Sequence, residues 1–211
     1  MEIVLEDIGR RFNRDWVFQH VNYRFISGLR YAVLGPNGSG KSTLLQVVSS
    51  ALTPSAGHIT YHHRGSAVDP DRVFRYLSIA APYLELIEEF TLVEQIRFHF
   101  KHKTFLYGFD GRSLIDYMGL THAQDKQLRH FSSGMKQRVK LGLACCADVP
   151  IVLLDEPTSN LDEEGVAWYL QLVEQTSADR LLLVCSNQER EYGFCDHTIT
   201  ITDYKAAHSV R

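Results

Sequence analysis

The chain of 211 residues is 45% hydrophobic and 22% charged, the balance of an ordinary globular protein long enough to bury a full core. Its net charge of -3 advertises no basic surface for nucleic acid or anionic lipid, and no apolar run approaches the roughly 20 residues of a spanning helix. The start, MEIVLEDIGRRF, lacks a basic-then-apolar signal segment, and Cys145, Cys146, Cys185 and Cys195 lack metal-like spacing, so they read as free thiols of a reducing compartment.

In chain order, residues 3–5 and 23–25 read as short strands of an antiparallel edge sheet. Residues 30–34 are apolar and read as a buried strand. They run into GPNGSGKS, Gly35 to Ser42, which matches the phosphate-loop pattern G-x-x-x-x-G-K-[ST] at every required position. Gly35, Gly38 and Gly40 open backbone angles that a Cβ would close. The loop's N–H groups can then converge on phosphate oxygens at the positive end of the next helix, residues 43–50. Lys41 supplies a point charge for the β- and γ-phosphates, and Ser42 a hydroxyl for Mg²⁺. Strands follow at 57–61 and 75–79, with turn chemistry at 66–71 between them. Helices are predicted at 92–102, 113–118 and 133–147, the first with Leu92, Ile96 and Phe100 on one face.

The apolar run from Pro150 suits a central parallel strand and ends in Asp155 and Glu156. Asp155 at a strand end can hold Mg²⁺ through water, and Glu156 beside it is a candidate general base for an attacking water. A helix at 163–175 carries acids in its first turn, where they favour the helix dipole. Strands at 181–185 and 198–201 close the pattern. There is no repeat or low-complexity segment. Most of the ten histidines, His62, His63, His99 and His102 among them, fall in loop-like or surface-like positions and read as solvated.

The phosphate loop, the Asp155-Glu156 strand, the upstream run Phe131-Ser132-Ser133-Gly134-Met135 and the downstream Ser159-Asn160-Leu161-Asp162 resemble the nucleotide-binding subunits of ATP-binding cassette (ABC) transporters. In that family a signature loop of the LSGGQ type precedes the acidic strand and an SxLD loop follows it. The resemblance runs from about residue 3 to residue 201. It implies an α/β fold: a P-loop NTPase core of mostly parallel sheet flanked by helices, with an N-terminal antiparallel edge sheet. It also implies one domain over residues 1–211, with an α-helical subdomain inserted at roughly 85–145. The short stretch past the last strand leaves no room for the C-terminal regulatory domain of some family members.

The resemblance assigns roles residue by residue. Gly35, Pro36, Asn37, Gly38, Ser39, Gly40, Lys41, Ser42 and Thr43 would cradle the phosphates of ATP, and Ser42 and Asp155 would hold Mg²⁺. Glu156 would be the base. Phe12 falls where an aromatic stacks on adenine, although Trp16 and Phe18 are close. Ser132 and Gly134 would contact the γ-phosphate of a nucleotide held by a second nucleotide-binding chain, identical or not, in a head-to-tail pair. Asp162 would lie on that seam, or cap a helix, or both. The implied partner is an integral membrane permease, which places the chain peripherally on the cytoplasmic face, with no nucleic acid expected. The short length is most similar to compact exporter-type subunits. The rival reading is a soluble ABC ATPase of a non-transport machine.

Three departures from the family pattern bear on rate. The usual Gln after the strand at 75–79 aligns with Ala81 or Pro82, with Glu85 as a substitute from a shifted loop. The usual His after the strand at 181–185 is replaced by Ser186 or Asn187, of which Asn187 can donate a hydrogen bond to a γ-phosphate. The signature carries Ser133 for Gly and Met135 for Gln. The segment from Tyr83 to Phe90 either packs the domain's own core or docks a membrane partner.

Overall fold

The structure, a computed structural model, describes residues 1–205; residues 206–211 of the expected domain lie outside it. The centre is a five-stranded parallel sheet in the order β6 (Leu77–Ala80), β7 (Ile151–Asp155), β8 (Leu181–Cys185), β3 (Arg30–Leu34), β9 (His197–Thr200). Every residue of β7 and of β8 is buried, as continuous apolar runs require when both faces of a sheet are covered. Val152, Leu154, Leu182 and Val184 face one core, and Ile151, Leu153, Leu181 and Leu183 the other.

The first core is helical. Leu and Ile side chains of α2 (Leu92–His99), α3 (Gly111–Tyr117), α4 (Ser133–Cys145) and α5 (Glu163–Thr176) meet the sheet there. The second core joins α1 (Lys41–Val48) to a four-stranded antiparallel sheet in the order β2 (Asp15–Ile26), β1 (Glu2–Phe12), β4 (Ala56–His63), β5 (Ser66–Val68). A short helix, α6 (Glu189–Tyr192), follows β8. Between β6 and β7 the chain is helical, apart from short 3-10 turns and loops.

Several boundaries differ from the sequence reading for local reasons. β1 and β2 are far longer than the two short strands expected, because bulges between Leu5 and Ile8 interrupt the alternation. The turn expected at 66–71 opens with the edge strand β5 and continues into a 3-10 helix, Pro70–Tyr76, that Asp69 caps. β6 therefore starts later than expected. Helix α2 stops at His99 rather than 102; its start is fixed by a capping box in which Thr91 and Glu94 bond reciprocally. All four cysteines are free, with Cys145, Cys146 and Cys185 buried.

His99 is not solvated as expected. It packs beside Phe100, which stacks on Phe105 at a centroid distance of 3.5 Å, and its Nε2 is buried without a partner. Burial, helped by the Lys103 charge, pushes its imidazole down to about 4. A folded value below the unfolded 6.5 means that the neutral ring stabilises the fold above about pH 6.5, and the contribution fades as pH falls from 6.5 toward 4. His99→Phe is expected to make thermal stability less acid-sensitive, by about 1–2 kcal/mol between pH 7 and pH 5. Melting curves of both proteins across that range test it, and parallel pH dependences would refute it.

Candidate functional site

The site begins where β3 ends. Gly35 has φ 150 and Gly40 φ 110, and a Cβ on Gly40 would stand 2.5 Å from Val17 Cγ1. Only glycine turns the chain here, and that turn lets α1 start at Lys41, two residues before the expected start. The N-terminal N–H groups of α1 and those of the loop consequently share one mouth. An open depression there is lined by residues 37–43 together with Phe12, Val17 and Glu156.

Lys41 is 5% exposed, and its ammonium is held by neutral oxygens alone. Nζ donates to Gly35 O (2.7 Å), Pro36 O (3.3 Å) and Asn187 Oδ1 (3.1 Å). Asn187 Nδ2 in turn donates to Asn37 Oδ1 at 2.8 Å. Of the two candidates after β8, then, Asn187 faces the phosphate loop. Ser186 turns inward, is fully buried and donates to Glu191.

Asp155 ends β7 at 1% exposure, with Oδ1 buried and unpartnered. Burial pushes its carboxyl above the ordinary aspartate range; the Ser42 hydroxyl pulls it down, and the Glu156 charge adds to the rise. A buried carboxylate oxygen without a donor, beside a hydroxyl, is an oxygen set that suits Mg²⁺. Glu156 follows in the left-handed region at φ 45, its N–H donating to Cys185 O at 2.9 Å. That conformation costs a side-chain-bearing residue on the order of 1 kcal/mol, and it lets Glu156 line the depression beside Lys41 and Ser42.

Phe12 is 49% exposed on the rim, with the Arg10 guanidinium 4.7 Å from its ring centroid. Phe18 is fully buried in the core and Trp16 pairs with Arg11, so Phe12 is the aromatic that lines the depression. Ser132 and Gly134 are elsewhere. They line a second open depression with Ser133, Met135, Arg138 and the loop 160–162, and share no residue with the first. Ser132 caps α4 by accepting from Met135 N at 3.2 Å, and Asp162 caps α5 by accepting from Gly165 N at 2.8 Å. Gly134 is pressed on the second loop: a Cβ there would lie 2.9 Å from Asn160 O.

The segment after β6 carries the residues that the resemblance aligns with the usual Gln. Ala81 is buried, and Lys140 Nζ donates to the carbonyls of Ala81 and Pro82 at 3.4 and 3.3 Å. Glu85 is exposed and its charge acts on Lys140. Tyr83, after Pro82, is 43% exposed. Burial, then the Asp155 charge, pushes its phenol up to about 12, while the Gln46 side chain opposes the shift. Tyr83 belongs to the segment read above as packing the core or docking a partner, and a turn closed by Leu84 N donating to Ala81 O holds it. Glu191, which bonds Thr158 and Ser186, carries no signal in the sequence, because its partners lie across the fold.

Comparisons with known proteins agree on one family. The family model described as ABC transporter matches residues 18–159. The uncharacterized ABC transporter ATP-binding protein YybJ of Bacillus subtilis is 28% identical over 193 residues, covering 90% of this chain and 88% of that protein. The cytochrome c biogenesis ATP-binding export protein CcmA of Agrobacterium fabrum is 29% identical over 184 residues, 82% of each. The dimeric bacterial ABC transporter cassette MJ0796 superposes with a TM-score of 0.77 over 94% of both chains at 20% identity, which shows a shared P-loop NTPase fold. The family match takes in both the phosphate loop and the acidic strand, and extends over more than half of the sequence: the chain belongs to the ABC transporter family.

Proposed function

We propose that this chain is the ATP-hydrolysing subunit of a transporter, and that it works as a head-to-tail pair closing on two ATP molecules. The observation that carries the reading is the separation of the two depressions, one with Lys41, Ser42 and Glu156, the other with Ser132 and Gly134. A single chain offers each nucleotide only half of the contacts; a second chain, turned about, supplies the rest. The dimeric form of the MJ0796 cassette supports it, as does its post-hydrolysis form bound to ADP and Pi.

In this reading Phe12 stacks on adenine and residues 35–43 cradle the phosphates. Lys41 exchanges its carbonyl partners for phosphate oxygens, which are better acceptors because they are charged. Ser42 and Asp155 hold Mg²⁺, which when bound supplies positive charge to the β- and γ-phosphates. Glu156 accepts a proton from the attacking water. Asn187, freed when Lys41 turns to phosphate, keeps its Nδ2 donor directed at the phosphate loop. Ser132 and the N–H groups at the start of α4 meet the γ-phosphate on the second chain, where a helix N-terminus favours an anion. Loss of that phosphate opens the pair.

We further read residues 1–211 as one ABC domain, with residues 85–145 as its helical subdomain. Among the described residues no helix is long and apolar enough to cross a membrane. In this reading the transport path belongs to an integral membrane permease, with this chain on its cytoplasmic face. The likeness to CcmA, named an export protein, supports an exporter-like partner. Purified wild-type protein is expected to release phosphate from MgATP and to copurify with a membrane protein from detergent-extracted cells. Phosphate release with only soluble copurifying partners would favour the non-transport reading; the absence of both phosphate release and ATP-dependent dimerisation would sink the proposal.

A further inference from the structure

One buried acid takes no part in the mechanism above. Glu191 lies on α6 at 1% exposure, and none of the ion pairs among the described residues includes it. Its carboxylate is satisfied by neutral donors from two segments only. Oε1 accepts from Thr158 N at 3.0 Å and from Thr158 Oγ1; Oε2 accepts from Ser186 Oγ. Its main-chain carbonyl accepts from Tyr169 Oη at 2.9 Å, which ties the same residue to α5.

The two segments carry the two polar groups placed at the phosphate loop. Thr158 follows Glu156 by two residues, and Ser186 precedes Asn187. Beneath them, Asp155 pairs with Cys185 in the β7–β8 ladder, and Glu156 N donates to Cys185 O. Thr158 and Ser186 are themselves buried, at 2% and 0% exposure. A desolvated carboxylate with no cation is costly, and an apolar side chain of similar volume would fill the same space without that cost. What the acid adds is acceptors for three donors, from two loops that share only the strand-end bonds otherwise.

We propose that Glu191 is a positioning residue, a carboxylate clamp that makes the Glu156 loop and the Asn187 loop move as one unit. The base and the phosphate-facing amide then reach their working positions together. Neither Thr158 nor Ser186 touches the nucleotide; each acts through its neighbour. The inference rests on the ATPase reading for its kinetic consequence, and on geometry alone for the coupling of the loops.

The test compares Glu191→Leu, Glu191→Gln, Thr158→Val, Ser186→Ala and the Thr158→Val/Ser186→Ala pair. In Glu191→Leu, kcat for ATP hydrolysis is expected to fall at least about tenfold. The dissociation constant of a fluorescent ATP analogue should change less than about threefold, because the phosphate loop is untouched. Glu191→Gln retains an acceptor for Thr158 and an amide for the Ser186 hydroxyl, so it should recover most of the lost rate. The double variant should lose little more than its worse single, since either break uncouples the loops. Additive losses, an undiminished kcat in Glu191→Leu, or an equal loss of affinity and rate would overturn the clamp.

Amide hydrogen exchange supplies a readout that needs no turnover. Exchange at residues 156–160 and 186–188 should accelerate together in Glu191→Leu and remain near wild type in Glu191→Gln; acceleration of one segment alone would overturn the proposal. Inactive wild-type protein with this exchange pattern would sink the ATPase reading and leave the clamp standing. If Glu191→Leu does not fold, the Thr158 and Ser186 variants decide the question by the same exchange and cycle measurements.

Discussion

Glu156→Gln is expected to lower steady-state ATP hydrolysis by about 10²–10⁴-fold, the usual contribution of a positioned general base. The amide has nearly the shape and hydrogen-bonding reach of the carboxylate but cannot accept a proton at neutral pH. The backbone at this position is held independently of the side chain, by the N–H donating to Cys185 O and by Ser159 N donating to Glu156 O at 3.1 Å. The variant should therefore keep its loop geometry and bind ATP. With the γ-phosphate retained, the closed pair should persist, doubling the mass seen by light scattering in the presence of ATP. Phosphate release at the wild-type rate would remove Glu156 from the chemistry.

Lys41→Ala is expected to act on binding before chemistry. A hydrogen bond to a charged group contributes about 1.5–3 kcal/mol, so removing the ammonium should weaken ATP binding by roughly 10- to 100-fold. In the unliganded protein Lys41 is fastened to Gly35 O, Pro36 O and Asn187 Oδ1, contacts that phosphate must outcompete. Lys41→Arg is expected not to restore affinity. Lys41 itself is only 5% exposed, and a planar guanidinium does not fit the space of a compact ammonium. Titration calorimetry with ATP measures both variants. Unchanged affinity in Lys41→Ala would mean that backbone N–H groups alone carry the phosphate contact.

The parts of the site that are legible in the sequence are those whose chemistry is local. Gly35 to Ser42 announces itself because a strand, three glycines, a lysine and a serine are all required within a few residues. β7 and β8 are legible because unbroken apolar runs have few other destinations; the structure starts β7 one residue after Pro150 and keeps β8 at 181–185. The strands β1 and β2 are only partly legible. Positive φ at Asp7 and His20 marks irregular backbone that breaks the period-two pattern on which recognition depends. The three-residue β5 has no pattern to read. The partners of Asn187 and Glu191 lie across the fold, and no spacing in the chain encodes that Ser186 points inward while its neighbour points out. His99 shows the same limit: its surface-like position in the sequence suggests solvent, whereas its ring packs edge-on against Phe100 and its Nε2 is buried.

The helix that follows the signature loop carries a consequence of a different kind. Arg138 of α4 lies over the ring of Trp168, 5.1 Å from its centroid, and the indole N–H donates to Tyr117 O at 2.9 Å. Trp168 is 8% exposed, and a guanidinium against a buried indole alters its light emission. If the proposed closure of two chains shifts α4 against α5, that contact changes with it. The only other tryptophan, Trp16, sits in the β1–β2 hairpin next to Arg11. Trp168 on α5 is thus an intrinsic optical reporter of the α4–α5 contact, by which the proposed closure could be followed in real time without a dye or an engineered label.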